Sequence, residues 1–281
     1  MFTFILCSAL FITDHGTPTE PLQELLGELY APDDTLEDIV AKTNRAWLQV
    51  NQGQKERTDL VDTPEQSEKR RKFEAVVSEM GLFEAQKPKQ KNYAYGAVYG
   101  AFVDATRASL NYLIEAWKEG TRFDTIVFFT GARPLRKQPG QEDDPAKFAN
   151  FPENAPYETE YDMCKIILEE ANLPEDMKVK IVFVNAKAPP GMTRPSRKDC
   201  FEEWLKTNPP PGTLLAASHP LYWSYQQLAV ENSLPQGFTV DTCCNEATEA
   251  LRSRYEKRLV SLLQDNIAKC LYEINVAAKK N

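Results

Sequence analysis

The chain has 281 residues, 42% hydrophobic and 26% charged, a composition typical of a soluble globular protein with one large domain or a domain plus an appendage. Its 33 basic and 41 acidic residues give a formal net charge of -8 without a basic stripe, which argues against a nucleic-acid partner. Two histidines and six cysteines without a C-x-x-C pair argue against a zinc site, and no metal ligand is predicted.

The first twelve residues are apolar over a length that fits the core of a signal peptide and is too short for a membrane span. No Lys or Arg precedes them, and a buried strand or helix explains the same pattern equally well. Localisation therefore stays open between cytoplasmic and exported. No other segment of the sequence is predicted to cross a membrane.

Residues 1–90 are predicted to form a helical N-terminal region. Helix starts are indicated at Thr35 and at Thr63, because each is followed three residues later by a side chain that can complete a capping box. The helix after Thr63 has an apolar face at helical spacing and should end near Gly81. The polar segment 52–62 is predicted to be a loop.

Residues 91–281 alternate between strand and helix patterns and are predicted to form a Rossmann-like domain of the α/β class. The pattern indicates a doubly wound parallel sheet of about five strands with a long C-terminal helix, near residues 246–274. Shorter helices are predicted at 199–205 and 221–231. The strands are predicted at residues 92–99, 125–130, 179–184, 213–218 and 238–242.

The strand 125–130 runs straight into a turn that contains Gly131 and Arg133. In open α/β sheets, ligands bind at the carboxyl ends of the strands, so this turn indicates where a site should lie. Small, cationic and hydrogen-bonding residues follow the other strands as well, which predicts a small anionic or polar ligand. The predicted ligand-binding residues are Gly100, Arg107, Gly131, Arg133, Asn185, Arg194 and Ser218, and the predicted catalytic residues are His219 and Glu160.

Each of these residues also has a structural explanation. The two glycines are compatible with ordinary turns at strand ends, and Arg107 with a surface ion pair on its own helix. His219 suits a general base, yet no nucleophile partner can be identified by spacing, and a structural histidine explains it as well. The sequence lacks G-x-S-x-G, G-x-G-x-x-G and G-x-x-x-x-G-K, which argues against α/β-hydrolase, standard dinucleotide and P-loop sites.

The strand-end residues resemble those of the YdcF/SanA/ElyC-type family over roughly residues 92–244. The similarity lies in Gly100-Ala101 with Arg107, in Gly131 with Glu160, and in Ser218 with His219. The resemblance implies a Rossmann-like domain, S-adenosylmethionine or a nucleotide as ligand, and a link to the cell envelope. The chain departs from the family pattern at Ala132, where the pattern has a second glycine, at Arg197 and Cys200 after the third strand, and at Tyr222, where it has an arginine.

Two functional hypotheses follow. The first is a site for a nucleotide-like, S-adenosylmethionine-like or phosphate-bearing small molecule at the strand ends. The second is a non-catalytic interaction or cell-envelope-associated protein that has kept the fold without an active site. The sequence leaves open whether the chain is an enzyme, which substrate it takes and how it oligomerises.

Overall fold

The computed structural model describes residues 7–48, 60–140, 143–151 and 156–280. They form two compact units. The helical unit comprises Met1–Ala85, Pro220–Asn232 and Asn245–Asn281, and the α/β unit comprises Gln86–His219 and Ser233–Cys244. The predicted segment 1–12 and loop 52–62 fall partly outside the described residues, while Phe11 is fully buried.

The first helices belong to the helical unit: α1 (Glu20–Leu26) with a 3₁₀ turn (Gly27–Leu29), α2 (Leu36–Ala46) and α3 (Pro64–Glu79). Thr35 and Thr63 begin α2 and α3 through capping boxes, which confirms both predicted starts. The backbone N–H of Thr63 donates to Oε1 of Gln66 at 2.7 Å, and the Gln66 N–H donates back at 3.2 Å. Beyond α3, Gly81 has a φ of +71°, a conformation that favours glycine after a helix end.

The α/β unit contains β1 (Asn92–Tyr99), α4 (Val103–Lys118), β2 (Arg122–Gly131), a 3₁₀ turn (Pro145–Lys147), α5 (Glu160–Glu170), β3 (Lys180–Ala186), α6 (Arg197–Leu205), β4 (Thr213–Ala217) and β5 (Thr239–Cys243). The crossover helix α7 (Trp223–Ser233) precedes β5 in the chain. All strand pairs are parallel, in the order β3-β2-β1-β4-β5. The predicted α/β class with a parallel sheet of five strands is confirmed.

Helices of the α/β unit cover both faces of the sheet. Val98 and Phe128 lie in a fully buried cluster with residues of α4 and α5, such as Leu110 and Ile167. Neighbouring side chains point to the opposite face, where Phe129 packs 4.4 Å from the ring of Phe201 on α6. The central strands are therefore apolar on both sides, as a doubly wound sheet requires.

The C-terminal helix is shorter than predicted. A short helix, α8 (Glu249–Ser253), is followed by turns, and the long helix α9 (Leu259–Ala278) begins only at Leu259. The break occurs where the carboxylate of Asp62 accepts the backbone N–H groups of Val260 at 3.1 Å and of Ser261 at 2.7 Å. A side chain that is distant in sequence thus caps α9 and sets its start.

The predicted division at residue 90 stays a prediction, and the compact units combine segments from both sides of it. The segments Pro220–Asn232 and Asn245–Asn281 are grouped with the N-terminal helices, so α7, α8 and α9 complete the helical unit. Within it, α9 packs against α2 and α3. Its buried face includes Leu259, Leu263 and Leu271. No helix among the described residues is long and apolar enough to cross a bilayer.

Candidate functional site

The strand order places a topological switch point between β1 and β4, because the chain runs outward from β1 to β3 and returns to β4. Val98 pairs with Ala217, so Ser218 and His219 leave β4 beside Tyr99 and Gly100. Adjacent strands are about 4.8 Å apart, which brings the backbone of His219 close to the turn after β1. The carboxyl ends of β1, β2 and β4 form the candidate site.

Glu160 and Arg133 form a buried ion pair at this edge. Nε of Arg133 donates to Oε2 of Glu160 at 2.9 Å, and the two side chains are only 15% and 12% exposed. Nη2 of Arg133 donates to the carbonyl oxygen of Ala101 at 2.9 Å, and Nη1 lies 3.9 Å from Oδ2 of Asp143. The guanidinium also lies 5.1 Å from the ring centroid of Phe102. Arg133 thus connects the turns after β1 and β2.

The local sequence explains why Glu160 lies at this edge of the sheet. Thr159 begins α5 with a capping box, which makes Glu160 the first helical residue. The backbone N–H of Glu160 donates to the carbonyl of Arg133 at 3.0 Å, and Pro134 forms a β-bridge with Thr159. The long connection from β2 therefore returns to the turn that it left, and the pair is fixed by the backbone on both sides.

Both predicted close-approach glycines are in close contact with other parts of the protein. A Cβ on Gly100 would lie 2.1 Å from Oε1 of Glu160. A Cβ on Gly131 would lie 2.2 Å from Cγ of Pro195, in the loop that precedes α6. Neither glycine has a positive φ, so both positions require glycine for space.

Burial raises the pKa of Glu160 from its ordinary value. Arg133, the backbone N–H of Gly131 and the charge of Arg194 oppose that rise, because each favours the carboxylate form. A buried carboxyl group with a perturbed pKa beside a cation is typical of functional sites and also occurs in structural ion pairs.

No family model, curated protein or solved structure matches this chain. Among the described residues, no three His, Cys, Asp or Glu side chains lie close enough together to hold a metal ion.

Arg107 is the predicted site residue that lies apart from the ion pair. Its Nη2 donates to Oε2 of Glu170 at 3.1 Å and to the carbonyl of Lys147 at 3.1 Å. Glu170 is ten residues along α5 from Glu160, which is about 15 Å of helix. Arg107 instead lines a groove of about 630 Å³ between α4 and α5.

The other predicted residues lie on β3, in the loop after it and at the end of β4, and they differ in burial. Asn185 is exposed on β3, beside Thr130 of β2, and Arg194 is partly buried in the following loop. Ser218 is buried, and its backbone N–H donates to the carbonyl of Cys243 at 2.9 Å. His219 is partly buried. These positions leave the predicted roles of the four residues as predictions.

Two residues at which the sequence departs from the resembled pattern, Arg197 and Cys200, lie in the α/β unit, whereas Tyr222 belongs to the helical unit. Sγ of Cys200 lies 3.4 Å from the carbonyl oxygen of Thr130, and burial raises the pKa of this thiol to about 12. The guanidinium of Arg197 stacks 4.4 Å from the ring centroid of Tyr99. Sequence reasoning missed Asp143, which is buried near Arg133, because nothing in its acidic neighbourhood distinguishes it from a surface residue.

Proposed function

We propose that this chain binds a small polar or anionic molecule at the carboxyl ends of β1, β2 and β4. The ligand would be nucleotide-like, S-adenosylmethionine-like or phosphate-bearing. The observation that carries the proposal is the buried pair of Glu160 and Arg133 beside Gly100, at the end of β1, the strand that borders the switch point of the sheet. Sheets of this class bind ligands in the crevice at that point.

The charges around the pair support an anionic or polar ligand. Arg194 lies in the loop after β3 and acts electrostatically on Glu160. Ser218 and His219 provide a hydroxyl and an imidazole at the end of β4, next to the turn after β1. In this proposal Arg133 and Arg194 are the cations, and His219 is the group suited to proton transfer near neutral pH. Arg107 is not part of the proposed site.

The proposal includes the resemblance to the YdcF/SanA/ElyC-type family. Glu160 stands where that resemblance expects a glutamate at a helix start, and Gly100 stands at the end of a strand, as the same pattern expects. The positions of Arg107 and Cys200 support it least, since Arg107 contacts Glu170 and the Cys200 thiol is buried.

A second candidate is an interaction protein that has kept the fold without an active site. The specific observation in its favour is that Arg133 already contacts a carboxylate and a backbone carbonyl within the protein. An arginine held in this way stabilises two turns whether or not a ligand binds.

Calorimetric titration with nucleotides, S-adenosylmethionine and phosphate compounds separates the two candidates. The small-molecule proposal expects one ligand class to bind, and Arg194→Gln to weaken binding about tenfold through loss of a charged contact. Arg122→Gln is the matched control, since Arg122 opens β2 at the opposite edge of the sheet. No binding by any class, or equal losses in both variants, would favour the interaction protein.

A further inference from the structure

The carboxylate of Glu160 is surrounded as a bound anion would be. Nε of Arg133 donates to it at 2.9 Å, the backbone N–H of Gly131 faces it, and Arg194 adds a second positive charge. Because Gly100 has no side chain, there is space beside it for Oε1 of Glu160, which a Cβ at this position would fill. Arginine, a backbone N–H group and glycine at close approach are the components of many carboxylate and phosphate sites.

We propose that Glu160 is a built-in competitor that occupies the position of the ligand's anionic group, so that a carboxylate, sulfate or phosphate binds Arg133 only when Glu160 withdraws. This inference rests on the proposed small-molecule site and adds its regulation. The competing anion belongs to the same chain, so its effective concentration is high, and only ligands with further contacts displace it.

The surroundings of Glu160 make this competition dependent on pH. Protonation removes the negative charge that holds Arg133, and burial already favours the protonated form by raising the pKa of Glu160. Anions should therefore bind more tightly as the pH falls. The charged and titratable groups around the pair are Arg133, Arg194, Asp143, Cys164, Cys200 and, at the end of β4, His219.

Sulfate is the suitable probe, since its charge stays constant over the range in question. Calorimetric titration of the full chain would compare wild type, Glu160→Gln and Glu158→Gln at about pH 5.5 and about pH 8. Glu158→Gln is the matched control, because it removes the same charge at a position two residues before Glu160. The Glu158 side chain is 76% exposed and pairs with Lys137. His219→Gln separates titration of the imidazole from that of Glu160.

At the higher pH we expect Glu160→Gln to bind sulfate about tenfold more tightly than wild type, and Glu158→Gln to behave as wild type. Wild type and His219→Gln should both gain affinity at the lower pH, and Glu160→Gln should gain less than wild type. Equal sulfate affinities in wild type and Glu160→Gln, or an equal gain over wild type in Glu160→Gln and Glu158→Gln, would overturn the inference.

An NMR measurement and a comparison with ligand binding decide the remaining outcomes. If Glu160→Gln does not fold, the Arg133 Nε–H signal of wild type is followed by NMR at the lower pH, and a signal unmoved by sulfate overturns the inference. If Glu160→Gln gains sulfate affinity while wild type binds none of the nucleotide, S-adenosylmethionine or phosphate ligands, the competitor stands and the proposed function fails. If wild type binds such a ligand but Glu160→Gln has the same sulfate affinity as wild type, the proposed function stands and the competitor role of Glu160 fails.

Discussion

Replacing Gly100 with alanine tests the close packing at the end of β1. The added Cβ would lie 2.1 Å from Oε1 and 2.6 Å from Cδ of Glu160, whereas ordinary contacts begin at 3.4 Å. The backbone of Gly100 is outside the left-handed region, so alanine adds no backbone strain. The whole penalty therefore arises from pushing the Glu160 carboxylate away from Arg133.

The expected loss has two parts. Overpacking a buried position costs about 1–3 kcal/mol. Weakening a charge-assisted hydrogen bond costs about 1.5–3 kcal/mol, although rotation of the carboxylate relieves part of it. We expect Gly100→Ala to lower the free energy of unfolding of the α/β unit by about 2–4 kcal/mol, measured by hydrogen exchange of amides in β1 and β2 under native conditions.

A double-mutant cycle isolates the cause. In a Glu160→Ala background the carboxylate is gone, so adding Gly100→Ala should cost less than about 0.5 kcal/mol. An equal cost of Gly100→Ala in both backgrounds, or a cost below about 1 kcal/mol in the wild-type protein, would contradict this cause.

Three further predictions concern stability and reactivity. Asp62→Ala removes the remote cap of α9 and should destabilise the helical unit by about 1–2 kcal/mol in urea unfolding, and a loss equal to that of an exposed Asp→Ala variant would contradict the capping role. Because the pKa of Glu160 is raised from 4.5, its contribution to stability is fully present below pH 4.5 and is lost as the pH rises through the higher pKa of the folded state. In unfolding curves, Glu160→Gln should remove this fall of the free energy of unfolding with pH. All six cysteines are buried thiols outside any disulfide, and burial raises the thiol pKa of Cys244 and Cys270 to about 12. A thiol reagent at neutral pH should therefore label them only after unfolding, and rapid labelling of the native protein would disprove this.

Strand positions were predictable where both faces are apolar. The predicted strand 92–99 coincides with β1, and the predicted strand 125–130 lies inside β2. The start of β2 was missed because Arg122 and Asp124 are exposed and alternate with the buried Phe123, whereas the prediction relied on an uninterrupted apolar run. A part of a strand that the helices do not cover has exposed residues, so it lacks the uninterrupted apolar run that predicts a buried strand.

Contacts between distant residues were not predictable. The late start of α9 depends on Asp62, which lies almost two hundred residues earlier in the chain, while the periodicity of the sequence continues through the break. The sequence singled out Glu160 and Arg133 separately, at a helix start and a strand end. Their pairing results from a long connection that folds back on its own turn, which spacing does not reveal.

We propose that a small polar or anionic molecule binds at the carboxyl ends of β1, β2 and β4. The most direct measurement is the change in backbone amide chemical shifts of the full chain on titration with adenosine monophosphate and with S-adenosylmethionine. We expect saturable changes concentrated at Gly100, Gly131 and His219. Changes confined to the groove around Arg107, or no saturable change with either compound, would contradict it.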